Sequence, residues 1–104
     1  LLQQQIVMHI EHPEVMEVMS VRGEAKIVSL LIPASSSAIH QSVEQIATAP
    51  DFPRNCLLLG IMREGTGNVL IPHGADRLFP GDTVLLIANT GDIDAAAKVL
   101  QASR

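Results

Sequence analysis

Two turn-forming segments constrain the fold more than any other feature of the chain. Residues 71–74 read Ile-Pro-His-Gly, and residues 80–82, six positions further on, read Pro-Gly-Asp. The first predicts that a short strand ends in a proline-braced turn. The second leads into the apolar run 84–87, whose uniform hydrophobicity predicts a strand that is buried on both faces. We therefore expect short strands that are joined by tight turns.

The composition argues against two classes of binding partner. Its 104 residues fit one domain, and aromatic residues make up only 2% of them, so the core must be aliphatic. Tryptophan and tyrosine are absent, which removes most of the side chains that stack on nucleobases. The net charge of −4 also argues against these partners, since a protein that binds nucleic acids or anionic membranes needs a basic surface. The composition therefore predicts no nucleic-acid partner and no anionic membrane surface as partner.

Cysteine content and hydropathy bear on the location of the protein. Cys56 is the only cysteine, so an intrachain disulfide is impossible, which is typical of the reducing cytosol. The apolar runs are far shorter than the ~20 residues that span a bilayer, and we expect no direct insertion into the membrane. The chain opens at Leu1 rather than at methionine, which predicts that it is a piece of a longer protein.

Apolar patterning and turn signals together predict the strands. Segments 15–21 and 25–32 are expected to form a hairpin around a glycine-containing turn. Three further strands are predicted at 56–62, 68–71 and 83–88. The first of these three is apolar throughout, which again predicts burial on both faces. The fold class that follows is α+β, with a small mixed or antiparallel sheet and two or three short helices.

Three stretches of apolar residues at helical spacing predict short helices. The first should end before Pro13, the second follows the serines at 35–37, which serve as a loop or a cap, and the third follows a capping Thr-Gly-Asp at 90–92. Their apolar positions are, in order, Leu2, Ile6 and Ile10; Ile39, Val43, Ile46 and Ala47; and Ile93, Ala96, Ala97 and Leu100. We expect residues 1–14 to be the end of a connecting helix from a preceding lobe, and residues 15–104 to be the domain.

Few residues of the chain suggest catalysis. The histidines at positions 9, 12, 40 and 73 lack the converging partners that a zinc site needs. The serines at 35–37 could combine with His40 and Glu44 as a hydrolytic triad, but no nucleophile elbow surrounds them. The Gly-Thr-Gly at 65–67 lies between strands and lacks the helix N-terminus that holds phosphate.

The remaining reactive groups also favour structural roles. Asp76 and Asp82 occupy turns, where aspartate commonly bonds its own backbone, and Cys56 opens an apolar strand. The chain is therefore predicted not to be an enzyme. A small hydrolase that uses a histidine, His40 or His73, is the alternative from a different class.

The order of several short motifs resembles one protein family. The motifs are His-Pro-Glu-Val at 12–15, a strand ending in proline at 25–33, a helical segment at 36–46, a proline-led entry into an apolar strand at 52–61, Arg-Glu-Gly at 63–65, and the turns at 71–74 and 80–82. Together they resemble the C-terminal regulatory domain, called TrkA-C or RCK-C, of Trk/Ktr-type potassium-uptake regulators. The likeness covers nearly the whole chain. It departs at His40, where family members commonly have glycine.

The resemblance implies a cytoplasmic domain that dimerises through its sheet or helices at the inner face of the membrane. In full-length relatives it follows a Rossmann-like lobe and relays a ligand-driven change to a membrane transporter subunit. The chain lacks the Gly-x-Gly-x-x-Gly fingerprint, so no nucleotide cofactor is assigned to this domain itself. The same domain appended to a chloride channel or a cation/proton antiporter is the related alternative. The His-Pro step at 12–13 favours the potassium regulators.

The resemblance also implies a regulatory ligand. In some relatives the dimer interface binds cyclic di-AMP, and Asn55 and Pro72 match positions used there. The arginine that contacts phosphate in those relatives has no counterpart, since its place falls near Ala49, and losing it removes charge-assisted hydrogen bonds. Arg54 is the candidate substitute. The candidate ligand-binding residues are Asn55, Ile71, Pro72, Arg54 and His73.

Overall fold

A five-stranded antiparallel sheet is the centre of the fold, which the computed structural model describes at residues 15–65 and 67–103. The strands are β1 (Val15–Val21), β2 (Ala25–Leu31), β3 (Cys56–Met62), β4 (Val69–Leu70) and β5 (Thr83–Asn89). The helices are α1 (Val43–Ala47) and α2 (Ile93–Gln101), and a 3-10 turn, Thr90–Asp92, precedes α2. This confirms the predicted α+β class. The helix expected before Pro13, with His9 and His12, lies outside the described residues.

The strand order is β1-β2-β5-β3-β4, so the last strand of the chain lies in the middle of the sheet. β1 and β2 form the predicted hairpin. Its turn places Arg22 at φ 55° and Gly23 at φ 79°, and consecutive positive φ values match the twist of a tight hairpin. β3 and β4 form a second hairpin, and β5 pairs with β2 on one side and β3 on the other.

The hydrophobic core lies against one face of the sheet. The cross-strand partners Val28 and Leu86 are both buried, and so are Leu30 and Val84, which places all four side chains on this inner face. Both helices and the loops cover it. The buried apolar cluster contains Val28, Leu30, Ile32, Ala38, Ile39, Ile46, Phe52, Leu58, Ile61, Leu78, Val84, Leu86, Ala88, Ala96, Ala97 and Leu100.

The prediction that β3 and β5 are buried on both faces is wrong. Leu57 of β3 is 62% exposed, and Leu85 and Ile87 of β5 are only half-buried. The apolar run favours a covered strand, but the helices pack on the inner face alone. The other side of the sheet therefore carries apolar side chains that nothing in the described chain covers.

The start of α1 and the capping of α2 differ from the predictions. α1 begins at Val43, because Ser42 caps it with a capping box in which Ser42 Oγ accepts from Gln45 N at 3.1 Å and Gln45 Oε1 accepts from Ser42 N at 2.8 Å. Ile39 is buried in the preceding turn instead of lying on the helix. Asp92 precedes α2 but makes no side-chain capping bond, so the predicted cap at 90–92 is wrong in its chemistry.

His40 occupies a turn at the position where the resemblance predicts glycine. Its φ is +69°, in the left-handed region that glycine enters freely and other residues enter at a cost of roughly 1–2 kcal/mol. Neighbours hold it there: His40 N donates to Leu78 O at 2.7 Å, and its carbonyl accepts from Arg77 Nη1 at 2.7 Å. Its ring also meets that of Phe79 edge-on, with centroids 5.4 Å apart. The turn therefore tolerates a residue other than glycine.

Candidate functional site

Arg54 and Asn55 lie together in a cavity at the start of β3. The cavity has a volume of about 350 Å³, within the range of small-molecule sites. It is lined by Ala25, Arg54, Asn55, Cys56, Leu57, Ile87, Ala88 and Asn89. The backbone carbonyl of Asn55 accepts from Asn89 N at 3.4 Å, which ties the end of β5 to the entry of β3. The lining thus combines one arginine and two asparagines with apolar residues.

The other three candidate residues do not line this cavity. Ile71 follows β4 and is 64% exposed, and Pro72 beside it is half-buried. The backbone N–H of His73 donates to Asp76 Oδ2 at 2.7 Å, which braces the turn at 71–74, while its imidazole is exposed. The structure therefore brings together Arg54 and Asn55, but it does not add this turn to their cavity.

Cys56 is one of the residues that line the cavity, and it is half-buried and packs against the apolar core. Burial raises its pKa, and the negative charge of Asp92 adds to the shift, so that the pKa reaches about 11. A thiol with a raised pKa stays protonated at neutral pH and is a poor nucleophile. The predicted structural role of Cys56 agrees with this environment.

We expect Cys56 to resist alkylation in the folded protein. A pKa near 11, compared with an ordinary value of 9.0, lowers the thiolate fraction at neutral pH roughly 100-fold. Iodoacetamide should react with the native chain slower than with free cysteine by about this factor, and the rate should rise roughly tenfold per pH unit. Mass spectrometry against time measures it, and the denatured chain is the control. Native and denatured chains that react equally fast would contradict the burial.

The sequence analysis did not predict the polar contact between the Arg-Glu-Gly segment at 63–65 and the Pro-Gly-Asp turn at 80–82. Arg63 Nε and Nη2 donate to Asp82 Oδ1 and Oδ2 at 3.0 and 3.1 Å, and Asp82 is fully buried. These bonds raise the pKa of the Arg63 guanidinium above its ordinary value. Phe79 N also donates to Asp82 Oδ2 at 2.8 Å, and the Phe79 ring lies 4.8 Å from the guanidinium carbon. The Arg-Glu-Gly and Pro-Gly-Asp motifs were the signal, since each supplies one partner.

The uncovered side of the sheet, which we call the outer face, is an exposed apolar surface. Its rows, read across the strands, are Val21, Ala25 and Asn89; Met19, Ile27, Ile87 and Leu57; Met16, Ser29, Leu85 and Gly60; and Leu31, Thr83, Met62 and Val69. None of these residues is charged. None of them belongs to the buried cluster or packs against it. The face therefore combines apolar character with exposure.

The described residues contain neither a metal cluster nor a membrane span. Within residues 15–65 and 67–103, no three His, Cys, Asp or Glu side chains are placed to hold a metal ion. No helix in these ranges has the length and hydropathy to cross a bilayer. The cavity beside Arg54 and the outer face are two features of these ranges that suit binding.

Comparison with known proteins identifies the family. Residues 27–101 match the model of the TrkA-C domain, a span of more than two thirds of the 104-residue chain. The chain belongs to the TrkA-C domain family. This confirms the resemblance that the motif order suggested, and the family and fold are those of regulatory domains rather than of enzymes. No curated protein matches the chain.

Two solved structures share the fold. One is described as the GsuK channel bound to NAD; it has a TM-score of 0.66 and 12% identity, and the match covers 86% of this chain and 16% of that one. The other is a crystal structure of the GsuK RCK domain, with a TM-score of 0.66, 11% identity, and coverage of 86% and 19%. The chain thus spans less than a fifth of the length of either GsuK chain. At these identities the likeness establishes an RCK-type fold.

Proposed function

We propose that this chain is the cytoplasmic regulatory domain of a potassium transport system and that it acts as a homodimer. The observation that carries the proposal is the TrkA-C family match over residues 27–101, on the fold of the GsuK RCK domain. The uncovered outer face supports the dimer, because a monomer rarely leaves such a surface in water. Ligand binding would shift the population of dimer arrangements, and the transporter would respond to that shift.

The proposal includes the organisation of the longer protein. Residues 1–14 would be the end of a helix that connects a preceding Rossmann-like lobe to the domain at 15–104. The membrane transporter would then be contacted through that longer chain and not by insertion of this domain. The match covers only 16% and 19% of the two GsuK chains, so those chains contain further parts beyond the region that resembles this one.

The experiment that tests this function measures ion uptake in cells that express the full-length protein with and without residues 15–104. We expect the deletion to change the rate of potassium uptake and its response to external potassium, while chloride flux and sodium/proton exchange stay the same. A change in chloride flux or in cation/proton exchange with unaltered potassium uptake would overturn the proposal. It would favour the alternative in which the domain serves a chloride channel or an antiporter.

We further propose that the domain binds cyclic di-AMP, with Arg54 and Asn55 as the residues that meet the phosphate and the base. The support is their shared cavity, and the guanidinium of Arg54 would take the place of the cation that is missing near Ala49. Four lining residues, Ala25, Leu57, Ile87 and Asn89, also belong to the outer face. Ile71, Pro72 and His73 are candidates for contacts from the neighbouring subunit.

Calorimetric titration of the 104-residue chain with cyclic di-AMP tests the ligand. We expect saturable binding at one ligand per dimer. Arg54→Ala should weaken the affinity roughly 10- to 100-fold, because it removes a charge-assisted hydrogen bond to phosphate. Lys98→Ala, which removes an exposed cation from α2, is the matched control and should bind as the parent chain does. A flat titration of the parent chain would remove cyclic di-AMP from the proposal and leave a dimeric assembly domain.

A further inference from the structure

We infer that a second cavity, beside α2, binds a free α-amino acid with an apolar side chain. This cavity, which we call the α2 cavity, has a volume of about 430 Å³, within the range of small-molecule sites. The inference goes beyond the proposed function, because it adds a site and a ligand class that the regulatory role does not include. None of its lining residues lines the cavity beside Arg54. They are Ser37, Asp51, Ala95, Lys98, Val99 and Ala102.

The sequence of α2 explains one wall of the α2 cavity. Ala95, Lys98, Val99 and Ala102 are spaced three and four positions apart, which places them along one side of the helix and its C-terminal end. The residues that α2 buries completely are others, so this side is left beside the core. The two alanines leave room next to the helix, and half-buried Val99, which packs against the core, supplies apolar surface.

Backbone hydrogen bonds hold the other two walls. The N–H of Ser37 donates to Ala102 O at 2.7 Å, which ties the loop before α1 to the end of α2. The segment 48–55 carries Asp51, and the next residue, Phe52, is buried and donates its N–H to Ala49 O at 3.1 Å. Walls that are in place before a ligand arrives lower the entropic cost of binding it.

Two opposite charges line the α2 cavity without pairing with each other. Asp51 and Lys98 are both exposed, and they come from different segments of the chain. Within residues 15–65 and 67–103, neither side chain forms an ion pair or a hydrogen bond, and the hydroxyl of Ser37 has no hydrogen-bond partner there either. A carboxylate, an ammonium group and a hydroxyl therefore line one cavity with their bonding capacity left for a ligand.

This combination of charges selects a zwitterion. Lys98 would attract an anionic ligand that Asp51 repels, and a cationic ligand would meet the reverse. A molecule with both an ammonium and a carboxylate group can donate to Asp51 and accept from Lys98 at once, through charge-assisted hydrogen bonds. The apolar wall at Ala95, Val99 and Ala102 favours an apolar side chain on the same molecule. An amino acid such as leucine combines these features.

The position of the α2 cavity gives such a ligand a route to regulation. Asp51 and the pair Arg54 and Asn55 belong to the same segment, 48–55, so that segment contributes to both cavities. An amino acid bound between Asp51 and Lys98 would hold the segment against α2. Its binding would thereby bias the arrangement of the residues that enter β3.

Nuclear magnetic resonance titration of the isotope-labelled 104-residue chain with L-leucine tests the site. We expect saturable shifts, in the millimolar range or tighter, at the amides of Ser37, Asp51 and Val99, and no shift at Arg54. Two analogues of leucine are the matched probes: isocaproate lacks the ammonium group and isoamylamine lacks the carboxylate. Each should bind roughly tenfold or more weakly than L-leucine, because each loses one charge-assisted contact.

Single substitutions test the two charged residues. Asp51→Asn and Lys98→Ala should each weaken the binding of L-leucine roughly tenfold. Arg54→Ala is the matched control, since it removes an exposed cation that does not line the α2 cavity, and this variant should bind L-leucine as the parent chain does. Circular dichroism confirms that each variant is folded.

The outcomes separate the site from its ligand class. A flat titration with L-leucine, or shifts that never saturate, would overturn the inference. Isocaproate or isoamylamine binding as tightly as L-leucine would overturn the zwitterion as the ligand. An affinity that stays the same in both Asp51→Asn and Lys98→Ala would overturn these residues as the ones that hold it. The regulatory role is tested apart from all of these, by potassium uptake in the deletion experiment.

Discussion

Arg63→Met should lower the free energy of unfolding by about 3 kcal/mol, among the largest effects of any single substitution outside the apolar core. Breaking a buried ion pair costs about 3–5 kcal/mol, and the 37% exposure of the Arg63 side chain places the expectation at the lower end. The cost arises because Asp82 is fully buried. Without Arg63 its carboxylate would keep the backbone N–H of Phe79 but lose its counter-charge. Urea denaturation monitored by circular dichroism measures the change.

Two further variants isolate the charge effect. Arg54→Met makes the same chemical change at an exposed arginine and should cost less than about 0.5 kcal/mol. The double variant Arg63→Met with Asp82→Asn should recover part of the loss, because the amide carries no charge that needs a partner. If Arg63→Met were as mild as Arg54→Met, or if the double variant were the least stable of all, the buried ion pair would not be what joins the two turns.

The elements of this fold could be predicted from local patterns because those patterns act over a few residues. The hairpin at Gly23, the Pro-Gly-Asp turn and the apolar face of α2 each follow from spacing and turn chemistry within one segment. The start of α1 was missed for a related reason. Ile39 has the helical spacing, but Ser42 and Gln45 close a capping box that fixes the first turn three residues later.

The contacts between segments that lie far apart in the chain could not be predicted in the same way. Arg63 and Asp82 are nineteen positions apart, and nothing in either motif identifies the other as its partner. The apolar runs of β3 and β5 predict that both faces avoid water, whereas the helices cover only one of them. Burial on one side and exposure of Leu57 on the other become distinguishable only when the helices are placed.

Ser36→Ala should lower the free energy of unfolding by about 2–4 kcal/mol, because one buried hydroxyl satisfies two backbone groups. Ser36 Oγ donates to Leu100 O at 2.6 Å and accepts from Ala38 N at 3.0 Å, and the residue has no exposed surface. Alanine would leave a carbonyl at the end of α2 and an N–H in the opposing loop without partners. The serines at 35–37 suggested a local loop or cap, whereas this bond spans 64 positions.

Ser37→Ala is the matched control for this prediction. The backbone N–H of Ser37 donates to Ala102 O at 2.7 Å, and alanine keeps that donor, so this variant should stay within about 0.5 kcal/mol of the parent chain. Hydrogen exchange adds a local measurement. In Ser36→Ala the amides of Ala38 and of the last turn of α2 should exchange faster, while the relative exchange rates of the β5 amides should stay the same. Equal losses of stability in the two serine variants would mean that the loop tolerates either change and that the hydroxyl of Ser36 does not anchor α2. A loss confined to Ser36→Ala would mean that the hydroxyl of Ser36 helps to hold the C-terminal helix over the inner face, together with the buried side chains of Ala96, Ala97 and Leu100.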